Sequence, residues 1–186
     1  MILRNLVAAA VLGLSMACSS PLAQLKPIPA NAGGPYRLGP GDEIRVTVLG
    51  FDALTNTYSV SDSGTISIPM MEPIPAMDST PAEVGVVIAR RLEAKELAVN
   101  PSVSVQVQKY RPFFVLGEVQ NPGQYPYVPG MSVLSAISIA GGYTFRAEKK
   151  MVGITRRVEG KTIQARAGQQ ALVMPGDTIY VYEDWF

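Results

Sequence analysis

Glu72 and Asp78 are the carboxylates best placed in the sequence to be weighed as an acid–base couple. Glycoside hydrolysis needs two such groups at a set separation across the scissile bond. Nothing in the sequence fixes their separation, so surface solvation is the expected role of both. The chain has no histidine, which removes Ser-His-Asp and Cys-His nucleophile systems, histidine metal sites and histidine proton switches. Its one cysteine, Cys18, excludes an internal disulfide and a CxxC site. No GxxxxGK[ST] or GxGxxG string supplies a phosphate cradle, and Gly141-Gly142 reads as a helix end. No catalytic residue, cofactor site or metal ligand is therefore expected, and the chain reads as a non-enzyme.

The remaining chemistry is charge and aromaticity. Three basic doublets, Arg90-Arg91, Lys149-Lys150 and Arg156-Arg157, are candidates for facing an acidic polymer. Solvated faces are the plainer role for each. The 16 Lys+Arg against 15 Asp+Glu leave a net charge of +1, without the basic footprint of a nucleic-acid binder. Half of the aromatics (Tyr110, Phe113, Phe114, Tyr125, Tyr127, Tyr143 and Phe145) fall within one short stretch. Sugar stacking there competes with core packing or subunit contact, which aromatics dominate. At 47% hydrophobic and 17% charged, the chain is too apolar for disorder and low in charge for a freely diffusing monomer.

The elements that must position these groups are short. Glu43 to Leu49 alternates polar and apolar, a half-buried strand stopped by Gly50. Short strands near Tyr58–Val60 and Thr65–Ile68 flank a turn at Asp62-Ser63-Gly64. Thr80-Pro81-Ala82-Glu83 is a helix start with a cap, a proline and a returning glutamate, and Asn100-Pro101 is its expected end. Ser102 to Gln108 sets three valines on one face of a strand. Phe113 to Val119 reads as a fully buried strand, followed by a turn at Asn121-Pro122-Gly123. Ser132 caps a helix ended by Gly141-Gly142. Residues 151–156 and 162–166 read as a hairpin around Glu159-Gly160, and Thr178 to Tyr182 is a last strand. Strands grouped around one helix per unit give an α+β fold. The string PGD-x-I-x-V occurs twice, at Pro40 and at Pro175. Each is a tight turn feeding a strand, with Asp42 or Asp177 bonding nearby backbone N–H groups rather than doing catalysis.

Residues 1–17 carry one charge, Arg4, and an apolar run from Leu6 to Ala17. As a helix that run spans about 18 Å, short of a hydrocarbon core of about 30 Å, so it reads as a secretory signal. Leu14-Ser15-Met16-Ala17-Cys18 resembles the bacterial lipobox, with Met16 where a smaller residue is commoner. That resemblance implies acylation of Cys18, a stable anchor because several chains bury CH₂ groups at about 0.8 kcal/mol each. Ser19, with no Asp in its place, implies outer-membrane sorting. The Pro- and Gly-rich residues 18–35 are expected to form an extended tether lifting the body off the membrane.

Tyr36-Arg37-Leu38-Gly39-Pro40-Gly41-Asp42-Glu43-Ile44 resembles the opening of the polysaccharide biosynthesis/export domain, and Asn100-Pro101-Ser102-Val103-Ser104-Val105 its closing strand. Arg111 to Val119, Pro122-Gly123-Gln124-Tyr125 and Ala140-Gly141-Gly142-Tyr143 resemble the β-grasp SLBB domain. Pro175 to Ile179 and Glu183-Asp184-Trp185-Phe186 resemble the family's ending. The resemblance is to outer-membrane polysaccharide export lipoproteins of the Wza/GumB type, in a short form. It implies an export domain over 36–110 and one SLBB domain over 111–186. It also implies a homo-oligomeric periplasmic ring that takes polysaccharide from an inner-membrane copolymerase. Two departures stand out. Met70-Met71-Glu72-Pro73 replaces a Pro-Leu-Gly-like string. Nothing after Tyr182 supplies the 17–25 or so residues of a spanning helix, so a separate outer-membrane channel protein is the expected partner. Alternatives are a monomeric carbohydrate- or ligand-binding lipoprotein and a small polysaccharide-modifying enzyme. Cys18→Ser is expected to abolish acylation and release the protein from membranes; unchanged retention in a membrane fraction would contradict the anchor.

Overall fold

The computed structural model describes residues 21–29, 34–158 and 160–184; Cys18 and the signal lie outside them. The elements run α1 (Pro21–Gln24), β1 (Glu43–Val48), a 3-10 turn (Asp52–Leu54), β2 (Asn56–Ser59), β3 (Thr65–Ile66), β4 (Ile74–Pro75), α2 (Pro81–Ala94) and β5 (Val103–Lys109). They continue β6 (Phe113–Gly117), β7 (Gly123–Tyr125), α3 (Val133–Ile139), β8 (Met151–Val158), β9 (Lys161–Gly168) and β10 (Thr178–Val181). The fold is α+β, with two hydrophobic cores.

The first core is built by an antiparallel sheet of order β2-β1-β5 and the small β3-β4 ribbon. Alternation in β1 buries Ile44, Val46 and Val48, and α2 covers them with Val84, Ile88 and Leu92. The helix starts as its sequence dictates. The Thr80 hydroxyl accepts from the Glu83 N–H, and the Glu83 carboxylate accepts from the Thr80 N–H. It ends earlier than Asn100. Glu96 takes a left-handed φ of 55°, Leu97 N–H donates to the Leu92 carbonyl, and Glu96 N–H donates to that of Glu93. This closure satisfies the last carbonyls and turns Leu97 onto the core. Burial of one apolar side chain, not the later proline, sets the end.

The second core lies under a mixed five-stranded sheet, order β7-β6-β10-β8-β9. β10 runs parallel to β6 and antiparallel to β8. α3 supplies Val133, Ala136 and Ile137 against Phe113, Val115 and Ile179, and closes with Gly141 at a φ of 84°. One helix covers one face, so β6 is not buried throughout. It alternates, with Phe114 and Leu116 left exposed.

The tether expectation also changes. Within residues 18–35, the segment 21–29 is docked on the second domain. Arg166 N–H of β9 donates to the Lys26 carbonyl at 2.8 Å, and Ile28 N–H donates to the Arg166 carbonyl at 2.9 Å. Ile28 packs on the second core, and Leu22 is buried beside neither core cluster while α1 lies against β8. The physical reason is that β9 is an edge strand with unpaired backbone groups. Pro27 and Pro29 suit the segment because only the residue between them needs to donate.

Gly117 shows how tightly β6 meets β10. Its φ is 86°, and an added Cβ would stand 2.0 Å from the Val181 carbonyl oxygen. Gly123 has open space. Gly117→Ala should therefore lower unfolding free energy by more than about 2 kcal/mol, through backbone strain and clash, while Gly123→Ala stays within about 1 kcal/mol of the parent. Urea titration of both reads the difference; equal losses would disprove this account of Gly117.

Candidate functional site: the arginine junction between the domains

The two PGD strings form the same device. Gly39-Pro40-Gly41-Asp42 and Met174-Pro175-Gly176-Asp177 are turns closed by Asp42 N–H to Gly39 O and Asp177 N–H to Met174 O, both at 3.1 Å. Proline presets the second position, and the third needs the positive φ that Gly41 (88°) and Gly176 (84°) adopt. Each carboxylate then folds back to accept the N–H at the turn's first residue, Gly39 or Met174, at 2.8 Å. Both aspartates are buried, so each needs a cation.

Asp42 finds Arg111, the residue that joins the two sheets. The Arg111 backbone N–H donates to Asp42 Oδ1 at 2.8 Å and its Nη1 to Oδ2 at 2.9 Å. Its Nε donates to the Pro175 carbonyl of the other PGD turn at 3.2 Å. Tyr36 Oη donates to Asp42 Oδ2 at 2.6 Å and accepts from Arg111 Nη1 at 3.2 Å. The guanidinium carbon lies 5.6 Å from the centre of the Tyr36 ring. Burial, then the hydrogen bond to Asp42, push the Tyr36 hydroxyl well above the ordinary tyrosine range. Edge-to-face contacts continue from Tyr36 to Tyr110 at 4.9 Å and from Tyr110 to Tyr127 at 5.3 Å. The packing requires glycine on both sides. A Cβ on Gly39 would stand 2.4 Å from Arg111 Nη1, and one on Gly176 2.7 Å from its Nε.

Asp177 finds Arg156, whose Nε and Nη2 hold the two carboxylate oxygens at 2.9 and 2.7 Å, while Nη2 also donates to the Leu172 carbonyl. Burial pushes the Asp177 carboxyl up, against the opposing pull of Arg156.

A cleft of about 470 Å³ opens beside the junction, lined by Tyr36, Arg37, Asp78, Arg111, Arg157 and Pro175 among others. Its arginines are matched. Arg157 pairs with Asp78 at 3.3 Å and Arg37 with Glu83 at 3.6 Å, while Arg111 and Arg156 hold the buried aspartates. Among the described residues no cluster of three metal-ligating side chains occurs. The cleft thus joins the domains through balanced charge, and the Tyr36 hydroxyl on its wall is committed to Asp42 and Arg111.

The basic doublets do not form one surface. Arg156 is 6% exposed and committed to Asp177, which corrects its reading as polymer-facing; Arg157, its neighbour on β8, points the opposite way and meets Asp78. Adjacent residues of a strand face opposite sides. Arg91 is tied to the carbonyls of Glu72 and Pro73, whereas Arg90, Lys149 and Lys150 are exposed. The aromatic stretch divides likewise. Phe113 is fully buried, Tyr125, Tyr127 and Tyr143 pack partly on the core, and Phe114 and Phe145 are exposed. Arg111 was legible only as part of a motif. An arginine preceding a proline at a domain boundary, with two PGD strings elsewhere, is the signal that was present.

Comparison with known proteins places this architecture. The family described as Polysaccharide biosynthesis/export protein matches residues 30–108, and the SLBB domain matches residues 112–166. The chain thus carries a polysaccharide biosynthesis/export domain followed by an SLBB domain. It is 38% identical over 118 residues to the Exopolysaccharide production protein ExoF of Rhizobium meliloti (strain 1021), a match covering 58% of this chain and 28% of that one. It is 24% identical over 174 residues to the Polysialic acid transport protein KpsD of Escherichia coli, covering 80% of this chain and 31% of that protein. The chain thus spans less than a third of the length of these relatives.

Arg111→Met would leave Asp42 buried with Tyr36 and two N–H groups but no cation. Breaking a buried pair from one side costs about 3–5 kcal/mol, so a loss of that order is expected in chemical denaturation. A change below about 1 kcal/mol would show that the junction carries no weight.

Proposed function

We propose that this chain is a non-enzymatic, lipid-anchored subunit of a polysaccharide export system at the periplasmic face of the outer membrane. In this reading copies of the chain associate into a ring that encloses an aqueous passage. An inner-membrane copolymerase delivers polymer to it, and a separate outer-membrane channel protein receives it. The carrying observation is the ordered pairing of an export domain with an SLBB domain, locked by Arg111. A wall subunit needs fixed angles between its parts more than it needs reactive groups. Arginines matched by carboxylates fit the same role, because a polymer that must slide cannot be held tightly at each subunit. Among the described residues no helix is long and apolar enough to cross a membrane, which is consistent with attachment through acyl chains at Cys18.

Assembly draws support from the first sheet. β5 is an edge strand, and exposed Val86 of α2 borders a shallow apolar groove formed with Val103 and Val105. Edge strands and apolar grooves are surfaces that association covers. Deletion of the gene should leave polymer synthesis capacity intact and stop its surface display, and the detergent-extracted protein should have an oligomeric mass. Normal secretion after deletion would overturn the export role; a strict monomer at all concentrations would instead favour a carbohydrate-binding lipoprotein.

A further inference from the structure

The five-stranded sheet has a second face, opposite α3, that is apolar along β6 and β10. Phe114, Leu116 and Tyr180 are 39%, 41% and 45% exposed there. The register sets Leu116, Tyr180, Gly153 and Arg166 in one row across four strands. Pro27 of the N-terminal arm pairs with Arg166 at the end of that row. At about 4.8 Å per strand, arm and apolar strip lie within roughly 20 Å of each other. Tyr182 extends the strip, its ring packed edge-on to Tyr180 at 4.7 Å and against Gly153. The neighbouring row, Gln124, Phe114, Thr178, Thr155 and Gln164, is uncharged. Neither row carries an acid, while Arg166 and, on the arm, Lys26 supply cations. Among the described residues Arg166 Nε is buried without a hydrogen-bond partner.

Chain length decides what this face meets. Pro21, the first residue of α1, follows Cys18 by three residues, a reach of at most about 11 Å. Because α1 is docked against β8 with Cα atoms within 8 Å, an anchor at Cys18 holds that part of the sheet within about 20 Å of the headgroup layer. We propose that the β6–β10 face, with the arm beside it, rests on the bilayer. Phe114 and Leu116 enter the interfacial layer, Tyr180 sits with its hydroxyl among the headgroups, and Arg166 and Lys26 lie near lipid phosphates. Exposed aromatic and aliphatic side chains with cations beside them and no acid in either row match an anionic membrane surface. The inference rests on acylation at Cys18, and it replaces a body lifted off the membrane with one lying on it.

The test uses the full acylated chain in vesicles of phosphatidylethanolamine with a minor share of phosphatidylglycerol, carrying bromine on their acyl chains. In a Trp185→Phe background, Tyr180→Trp is compared with Val99→Trp, a position 91% exposed on the first domain. Bromine should quench the Tyr180→Trp protein about twofold and leave the Val99→Trp protein unchanged. In the parent chain, vesicles should slow hydrogen exchange at 113–117 and 178–181. Vesicle flotation with neither quenching nor protection overturns the face while leaving the anchor standing. So does protection that appears without vesicles on self-association, or on adding an acidic oligosaccharide such as hexagalacturonate. Failure of the full chain to float, with no acyl mass on Cys18, overturns the anchor and the face together.

Discussion

The carboxylate of Asp42 is buried from solvent, and the relation between the two domains follows from that. A buried carboxylate without a partner costs several kcal/mol, so the fold must bring a cation to it. That cation sits on the link between the two sheets, after β5 and before β6. Arg111 gives Asp42 both its main-chain N–H and its guanidinium, and passes its Nε to the turn that precedes the last strand. Such a pair stabilises little beyond an apolar contact of equal volume. Its use here is geometric, because a planar fork with fixed donors admits few orientations. Glycine at 39 and 176 lets the guanidinium approach both turns, and the Tyr36–Tyr110–Tyr127 contacts extend the same join with apolar area.

The same turn appears at Asp177, where the partner comes from within the domain. Arg156 reaches across from β8 and ties the start of β10 to its neighbour. One motif thus serves two ends. At Asp42 it holds domain to domain, and at Asp177 it holds strand to strand inside one sheet. In both cases the aspartate's first task is to close its own turn, and the arginine follows because the closed turn is buried.

This economy bears on function. Arginines that could have faced a polymer are spent on structure or matched at the rim of the cleft. What remains exposed is an apolar face on the second sheet, an edge strand on the first, and a few separated cations. That distribution suits a protein whose work lies in where it sits and what it encloses. The match to an export domain followed by an SLBB domain gives this geometry its context.

Local rules made much of this legible in advance. The Thr80 capping box, the Gly141 helix end, the alternation of β1 and the 151–166 hairpin each follow from interactions within a few residues, which a sequence displays directly. The PGD turns were legible for the same reason, and so was the α+β class. The partners of the aspartates were not, because Arg111 stands 69 residues from Asp42 and no local pattern pairs them. Nor was the exposure of Phe114 and Leu116, since an apolar run looks alike whether one face or two are covered. The arm beside β9 was hidden because its prolines suggest a solvated tether, and only an edge strand with unpaired groups gives Ile28 somewhere to donate. The sequence by itself determined which segments turn, extend or coil, since those preferences act between near neighbours. The tertiary structure decided which charges are buried, which faces stay bare and how the domains meet, since desolvation depends on everything that packs around a group.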